Sequence, residues 1–229
     1  MFSNSFLLSL QPLAKNVVEF NFQQESFVWL DLSVSNKDIL NYTIDNHALL
    51  HNYITDTLAL KKAKVGVGGY GEERDFYKLS PNFHTTDTPR SIHLGIDIWQ
   101  TAHSPVFAVL AGEIHSFKDN SGFGNYGGTI ILQHKFEGVI FYSLYGHLSC
   151  KSLQNLYKGK KIVAGEQIAT LGQAHENGNW SPHLHFQLIA DMANQEGDYF
   201  GVAPKHEKEK YLAICPNPNL LLNIPYFTI

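Results

Sequence analysis

Twelve histidines stand among the 229 residues, and three short stretches set them beside other groups able to hold a metal ion or move a proton. The first is His93-Leu-Gly-Ile-Asp97. On a regular strand its imidazole and carboxylate share a face but sit about 13 Å apart, at roughly 3.3 Å per residue. One metal ion needs its donors about 2 Å from itself, so the chain must bend between them, and Gly95 is where a bend costs least. Without such a bend the stretch is a half-buried strand that happens to carry His and Asp.

The second stretch is Pro182-His183-Leu184-His185-Phe186. On a strand both rings project to one face, about 6–7 Å apart at their Cα atoms, while Leu184 and Phe186 point to the other. One ring could bind a metal while its neighbour reaches a water or a substrate. A solvated strand is the plainer reading, and the flanking apolar residues argue against it. Pro182 suits a strand start. The third is Tyr145-Gly-His147-Leu148 at the end of an apolar run, where a lone histidine is more often structural and gains weight only from its company.

Two histidines and an aspartate with an open fourth position are the donor set of catalytic zinc, which lowers the pKa of bound water to about 7. A structural site would be closed by a fourth ligand, commonly cysteine. Only Cys150 and Cys215 occur, far apart and outside any CxxC, so cysteine-rich sites are excluded and two free thiols are expected.

These residues must be positioned by strands. Phe20–Ser35 alternates loosely and suggests one or two of them, and Asn36–Leu60 has a rough helical period with Asn36 as its cap. Gly66, Gly68, Gly69 and Gly71 then punctuate the chain. Beyond residue 90 come short runs rich in Ile, Val, Phe and Tyr: 91–99, 104–117, 127–136, 138–148, 160–165, 166–172 and 182–190. Glu137-Gly138 reads as a hairpin turn, and the spacers are too short for helical crossovers, so an antiparallel domain is expected. The expected organisation is an α/β extension over 1–65, a metal-bearing domain over 66–190 and a carboxy-terminal extension over 191–229 that packs on it.

Composition narrows the classes. An apolar fraction of 44% with 15 Phe and 11 Tyr supplies a large core, and charged residues are only 17%. A net charge of -4 with no Lys/Arg cluster disfavours nucleic acid. No run of about 18 apolar residues exists to span a membrane. The amino-terminal MFSNSFLLSLQPLAKN lacks a basic region and is broken by Pro12, which does not make a signal peptide and points to the cytoplasm.

HxxxD, YxHL and PHLHF, in that order, resemble the lysostaphin/LytM-type zinc endopeptidases of peptidoglycan over roughly residues 66–190. SPVFAVLAGEI and KGKKIVAGEQIATLG resemble further strands of that family. The resemblance implies a mainly β fold, an antiparallel β-sheet sandwich of the duplicated hybrid motif type with a groove across the metal. It implies one Zn(2+) per chain on His93, Asp97 and His185, with His147 and His183 as the catalytic pair. It also implies a peptide or peptidoglycan substrate, and hence an extracytoplasmic setting that sits against the absent leader; it sets no oligomeric state. Departures are Asn177–Ser181 before PHLHF, where Trp180 brings a bulky ring to the groove, and Gln187 where Glu is usual. Tyr70 and Arg74, in a looser match, are expected to line the groove and contact substrate; a turn with a surface ion pair to Glu72 or Glu73 is the alternative. His134 reads as a packing residue, and His47, His51, His84, His103, His115, His175 and His206 as surface or peripheral ones.

Two other functions share these motifs. One is a cytoplasmic zinc hydrolase of small peptides or amides, favoured by the missing leader, the extension and Gln187. The other is a non-catalytic binding or regulatory module, which predicts a broken motif, whereas every position is filled. A biotinyl or lipoyl carrier fails for want of a lysine on a suitable turn.

Overall fold

The computed structural model describes residues 2–39, 47–79 and 89–225. The sequence rule that fixes most of it is alternation: β-branched and aromatic residues every second position bury one face of a strand. Twelve strands result: β1 (Val28–Leu30), β2 (Gly66–Gly68), β3 (Arg90–His93), β4 (Ile96–Trp99), β5 (Pro105–Phe107), β6 (Gly112–Asn120), β7 (Gly127–Phe136), β8 (Val139–Leu148), β9 (Lys161–Ile162), β10 (Gln167–Thr170), β11 (His183–Ile189) and β12 (Val202–Pro204). Among the described residues, α-helices lie at α1 (Asn4–Leu10), α2 (His47–Leu60), α3 (Lys208–Ile214) and α4 (Asn219–Leu222).

Eight strands form one sheet in the order β1-β2-β4-β11-β8-β7-β6-β9, and the pairs β5-β10 and β3-β12 form two small sheets. The fold is mainly β. All pairs are antiparallel except β1 with β2, which run parallel. That exception departs from the antiparallel expectation because the long segment between β1 and β2, including α2, is a crossover connection. The glycines at 66–68, which read as punctuation, form an internal strand between β1 and β4. Of the alternating run Phe20–Ser35 only β1 is a strand. A helical segment does begin at residue 37, with Asn36 Oδ1 accepting the Asp38 amide at 3.0 Å, and α2 fills the end of the expected helix; its middle, and His84, lie outside the described residues.

The sheet has two buried faces. Ile96 and Ile98 of β4, Leu184, Phe186 and Leu188 of β11, and Phe141 and Tyr145 of β8 join Val106 and Ile168 of the β5-β10 pair and Leu7 and Leu10 of α1 in the main core. His134 belongs to this region, its Nε2 2.7 Å from Ser143 Oγ and its Nδ1 donating to Ala111 O at 2.9 Å, so it is a fully enclosed packing residue. The alternate residues of β4 and β11 (Asp97, Trp99, His183, His185 and Gln187) face the opposite way, between two smaller apolar clusters. Glu137 and Gly138 turn the β7-β8 hairpin with φ of 48° and 82°, as a two-residue turn of this hand requires. Cys150 and Cys215 are both free thiols. Among the described residues, no helix is long and apolar enough to cross a membrane.

Candidate metal centre

Register brings the motifs together. His185 on β11 lies opposite Asp97 on β4, and His183 opposite Trp99. His93 closes β3, and the break at Leu94-Gly95 before β4 provides the bend that HxxxD needs. The reason for glycine is different from backbone freedom, however. A Cβ on Gly95 would lie 2.7 Å from Cε1 and Nε2 of His185 and from Phe186 O, so glycine is what lets the His185 ring lie against the bend.

Three buried donor atoms then form a nearly equilateral triangle. His93 Nε2 is 3.1 Å from His185 Nδ1 and 3.2 Å from Asp97 Oδ1, and His185 Nδ1 is 3.1 Å from Asp97 Oδ1. Hydrogen bonds on the far side of each group set which atom is bare. His93 Nδ1 donates to Gly69 O at 2.8 Å, leaving a lone pair on Nε2. His185 Nε2 donates to Gln187 Oε1 at 2.9 Å, leaving a lone pair on Nδ1. The Gln187 amide is itself oriented, its Nε2 donating to Phe200 O and toward Cys215 Sγ. Asp97 Oδ2 accepts from Arg74 Nη1 at 2.6 Å, leaving Oδ1 in the triangle.

Three acceptors therefore face one another without a proton between them, an arrangement that repels unless a cation joins it. Their spacing suits the roughly 3.3 Å between neighbouring donors of a tetrahedron with bonds of about 2 Å. Burial, reinforced by the Arg74 charge, pushes the His93 imidazole down to about 4. Burial alone would raise the Asp97 carboxyl, but its electrostatic attraction to His93 and to the Arg74 guanidinium holds it well below the usual carboxylate range. Both groups are thus unprotonated at neutral pH and open to a metal.

Above the triangle stand the other two rings. His183 Nδ1 donates to Ser181 O at 2.6 Å and His147 Nδ1 to Asn177 O at 2.9 Å, so both carry their lone pair on Nε2. Their ring centroids are 4.1 Å apart, and His183 Nε2 is 3.8 Å from Asp97 Oδ1. Burial depresses both imidazoles, His147 the more strongly because it also faces His183 and His185. His147 reaches this face by an exception to alternation. Parity places it with Phe141 and Tyr145, in the core. Between the pairs Ile130↔Tyr145 and Gly128↔Leu148, β8 carries two residues against one of β7, a bulge at Gly146-His147. His147 adopts a left-handed φ of 62°, which turns its ring to the site and returns Leu148 to the core.

Five of the eight residues singled out in the sequence, His93, Asp97, His147, His183 and His185, thus meet in one place. Trp180 lines the same cavity, with its ring centroid 6.4 Å from that of His147. Arg74 lines it too, 1% exposed, and its Nε pairs with Glu72 at 2.6 Å; that ion pair is buried, not on the surface. Tyr70 is elsewhere: its hydroxyl donates to Cys215 O at 2.6 Å and lies near Leu212 O, holding the carboxy-terminal segment. Sequence reasoning passed over Tyr126, half-buried beside the triad with its hydroxyl 3.4 Å from His185 Nε2. Its only mark in the sequence is an aromatic residue in the glycine-rich loop 122–128.

Residues 91–197 match the sequence profile described as Peptidase family M23. Over that stretch the chain resembles peptidase family M23. The M23 segment contains all five of the converging residues. Among solved structures, the chain is similar to a zinc-containing peptidase from Vibrio cholerae, at 24% identity and a TM-score of 0.33, over 43% of this chain and 27% of that one. It is also similar to the catalytic domain of lysostaphin from Staphylococcus simulans, at 27% identity and a TM-score of 0.36, over 52% and 80% of the two chains. The prophage-encoded M23 protein EnpA from Enterococcus faecalis aligns at 25% identity and a TM-score of 0.36, over 48% and 80%. No curated protein matches the chain.

Proposed function

We propose that this chain is a zinc-dependent peptidase that hydrolyses short peptides, with stem or cross-bridge peptides of peptidoglycan as the substrates its family resemblance suggests. The observation that carries this reading is the triangle of three proton-free donors at 3.1–3.2 Å. His93 Nε2, Asp97 Oδ1 and His185 Nδ1 would hold the ion. Zinc, when bound, supplies a Lewis acid that polarises a carbonyl and acidifies water.

The protein's own groups supply proton transfer. His147 and His183, neutral and with Nε2 bare, are suited to take a proton from the attacking water as its C–O bond forms, and to return it to the departing amine as the C–N bond breaks. The ring that takes the water's proton then carries N–H at Nε2 and can donate a hydrogen bond to the oxyanion before passing that proton to the amine. Gln187 and Gly69 fix the ligand tautomers, and Arg74 holds Asp97 to one free oxygen.

Metal analysis of the purified protein should find about one zinc per chain, lost in His93→Ala and His185→Ala. Absence of stoichiometric zinc from the wild type, with both variants indistinguishable from it, would sink the reading. Incubation with peptidoglycan and with small peptides then separates the substrate classes. A protein that binds zinc but cleaves neither would point to the non-catalytic module. The small-peptide class is favoured by one feature: the cavity over the site is walled by Leu32, Leu50 and Ile54 of the amino-terminal extension.

A further inference from the structure

The cavity above the triad measures about 320 Å³, at the small end of the range for ligand pockets. Its lining combines two kinds of side chain. Asp97, His147, His183 and His185 are of one kind; Leu32, Leu50, Ile54, Phe76, Trp99 and Trp180 are of the other and pack together in one buried cluster. Arg74 also lines the cavity, its guanidinium carbon 5.8 Å from the centre of the Phe76 ring.

The apolar lining is continuous with the reactive side chains through ring contacts. Trp99 stacks on His183 with centroids 5.3 Å apart and planes 21° apart, and Trp180 sits between His147 and Phe76 at 6.4 and 6.3 Å. Two hydrogen bonds hold the extension in place around it. His51 Nδ1 is 2.6 Å from Ser181 Oγ, two residues before His183, and the Leu32 amide donates to Glu72, which pairs with Arg74 and through it with Asp97. The wall is therefore fixed to the same groups that hold the metal ligands.

From this placement we infer that Leu32, Leu50 and Ile54, with Phe76, Trp99 and Trp180, form a specificity pocket for one large apolar or aromatic side chain of the peptide, on the residue flanking the scissile bond. The inference rests on the peptidase reading for its reaction. A glycine at that position leaves the wall uncovered, whereas a Leu or Phe side chain removes its own apolar surface and the wall's from water. Discrimination of this kind is worth on the order of 10- to 100-fold in kcat/KM.

The test uses the zinc-loaded full chain and blocked pentapeptides identical except for Gly, Ala, Leu or Phe at the varied position, with cleavage followed by mass spectrometry. Leu and Phe peptides should be cleaved at least 10-fold faster than Gly, and Leu50→Phe or Ile54→Phe, each filling the pocket, should reduce that ratio by 10-fold or more. In parallel, N-acetyl-phenylalanine amide is titrated while tryptophan fluorescence is read, since Trp99 and Trp180 line the pocket. A saturable change in the wild type, weakened in either variant, supports the pocket even if no peptide is cleaved; in that case the peptidase reading falls and the pocket stands. Cleavage with Gly equal to or better than Phe overturns the pocket and leaves the peptidase. Neither cleavage nor a saturable fluorescence change overturns it as well.

Discussion

In the proposed metal centre, Arg74 acts without being a ligand. Its guanidinium is buried between Glu72 and Asp97, with Nη1 also 3.0 Å from Tyr77 Oη. By occupying Asp97 Oδ2 it leaves a single carboxylate oxygen for the ion and places a positive charge where two carboxylates would otherwise repel. Arg74→Gln should therefore weaken zinc binding by about 10- to 100-fold, as removal of such supporting hydrogen bonds does elsewhere. It should also cost on the order of 3–5 kcal/mol of stability, because Glu72 and Asp97 are left as buried carboxylates. Chelator competition and urea unfolding measure the two effects separately; a variant with unchanged zinc affinity would show that Asp97 is held by the histidines alone.

Among the elements, β4 and β11 are the ones the amino-acid pattern exposes most completely. Alternation assigned Leu184 and Phe186 to one face and His183 and His185 to the other, and the structure keeps that division, with Ile96 and Ile98 joining Leu184 and Phe186 in the core. The hairpin at Glu137-Gly138 was equally legible, because positive φ at both residues is a local demand. What alternation cannot express is the β8 bulge, whose two-against-one register depends on the partner strand, so the residues alone left His147 a lone histidine ending an apolar run and the family resemblance gave it a role. The same holds for β2 and β12, short strands defined by neighbours distant in sequence, and for Tyr70, whose partner carbonyls lie some 140 residues away. Holding His147 in the left-handed region costs on the order of 1–3 kcal/mol. Asparagine tolerates that conformation, so His147→Asn should keep the β8 bulge and a near-native melting temperature. Peptide hydrolysis should nevertheless fall by about 10²- to 10⁴-fold, the range of a proton-transfer group. Retention of full activity would remove His147 from the reaction.

At the scale of the whole molecule, the centre binds remote segments into one body. The triad joins β3, β4 and β11; Gly69 and Arg74 bring the segment after β2 against it, and Gln187 links it to Phe200 and Cys215 near the carboxy terminus. Three lone pairs that repel one another thus sit where those segments meet. Thermodynamically, they make the cation a partner in folding. An ion that binds only the native chain adds RT ln(1 + [L]/Kd), about 2.7 kcal/mol at a hundredfold excess over Kd. The melting temperature should therefore climb with free zinc and fall on addition of a chelator, with His185→Ala insensitive to both. Calorimetry at several buffered zinc concentrations would show this, and a transition independent of zinc would contradict it. For a cell, the supply of zinc would then regulate how much of this protein survives, as well as how fast it works.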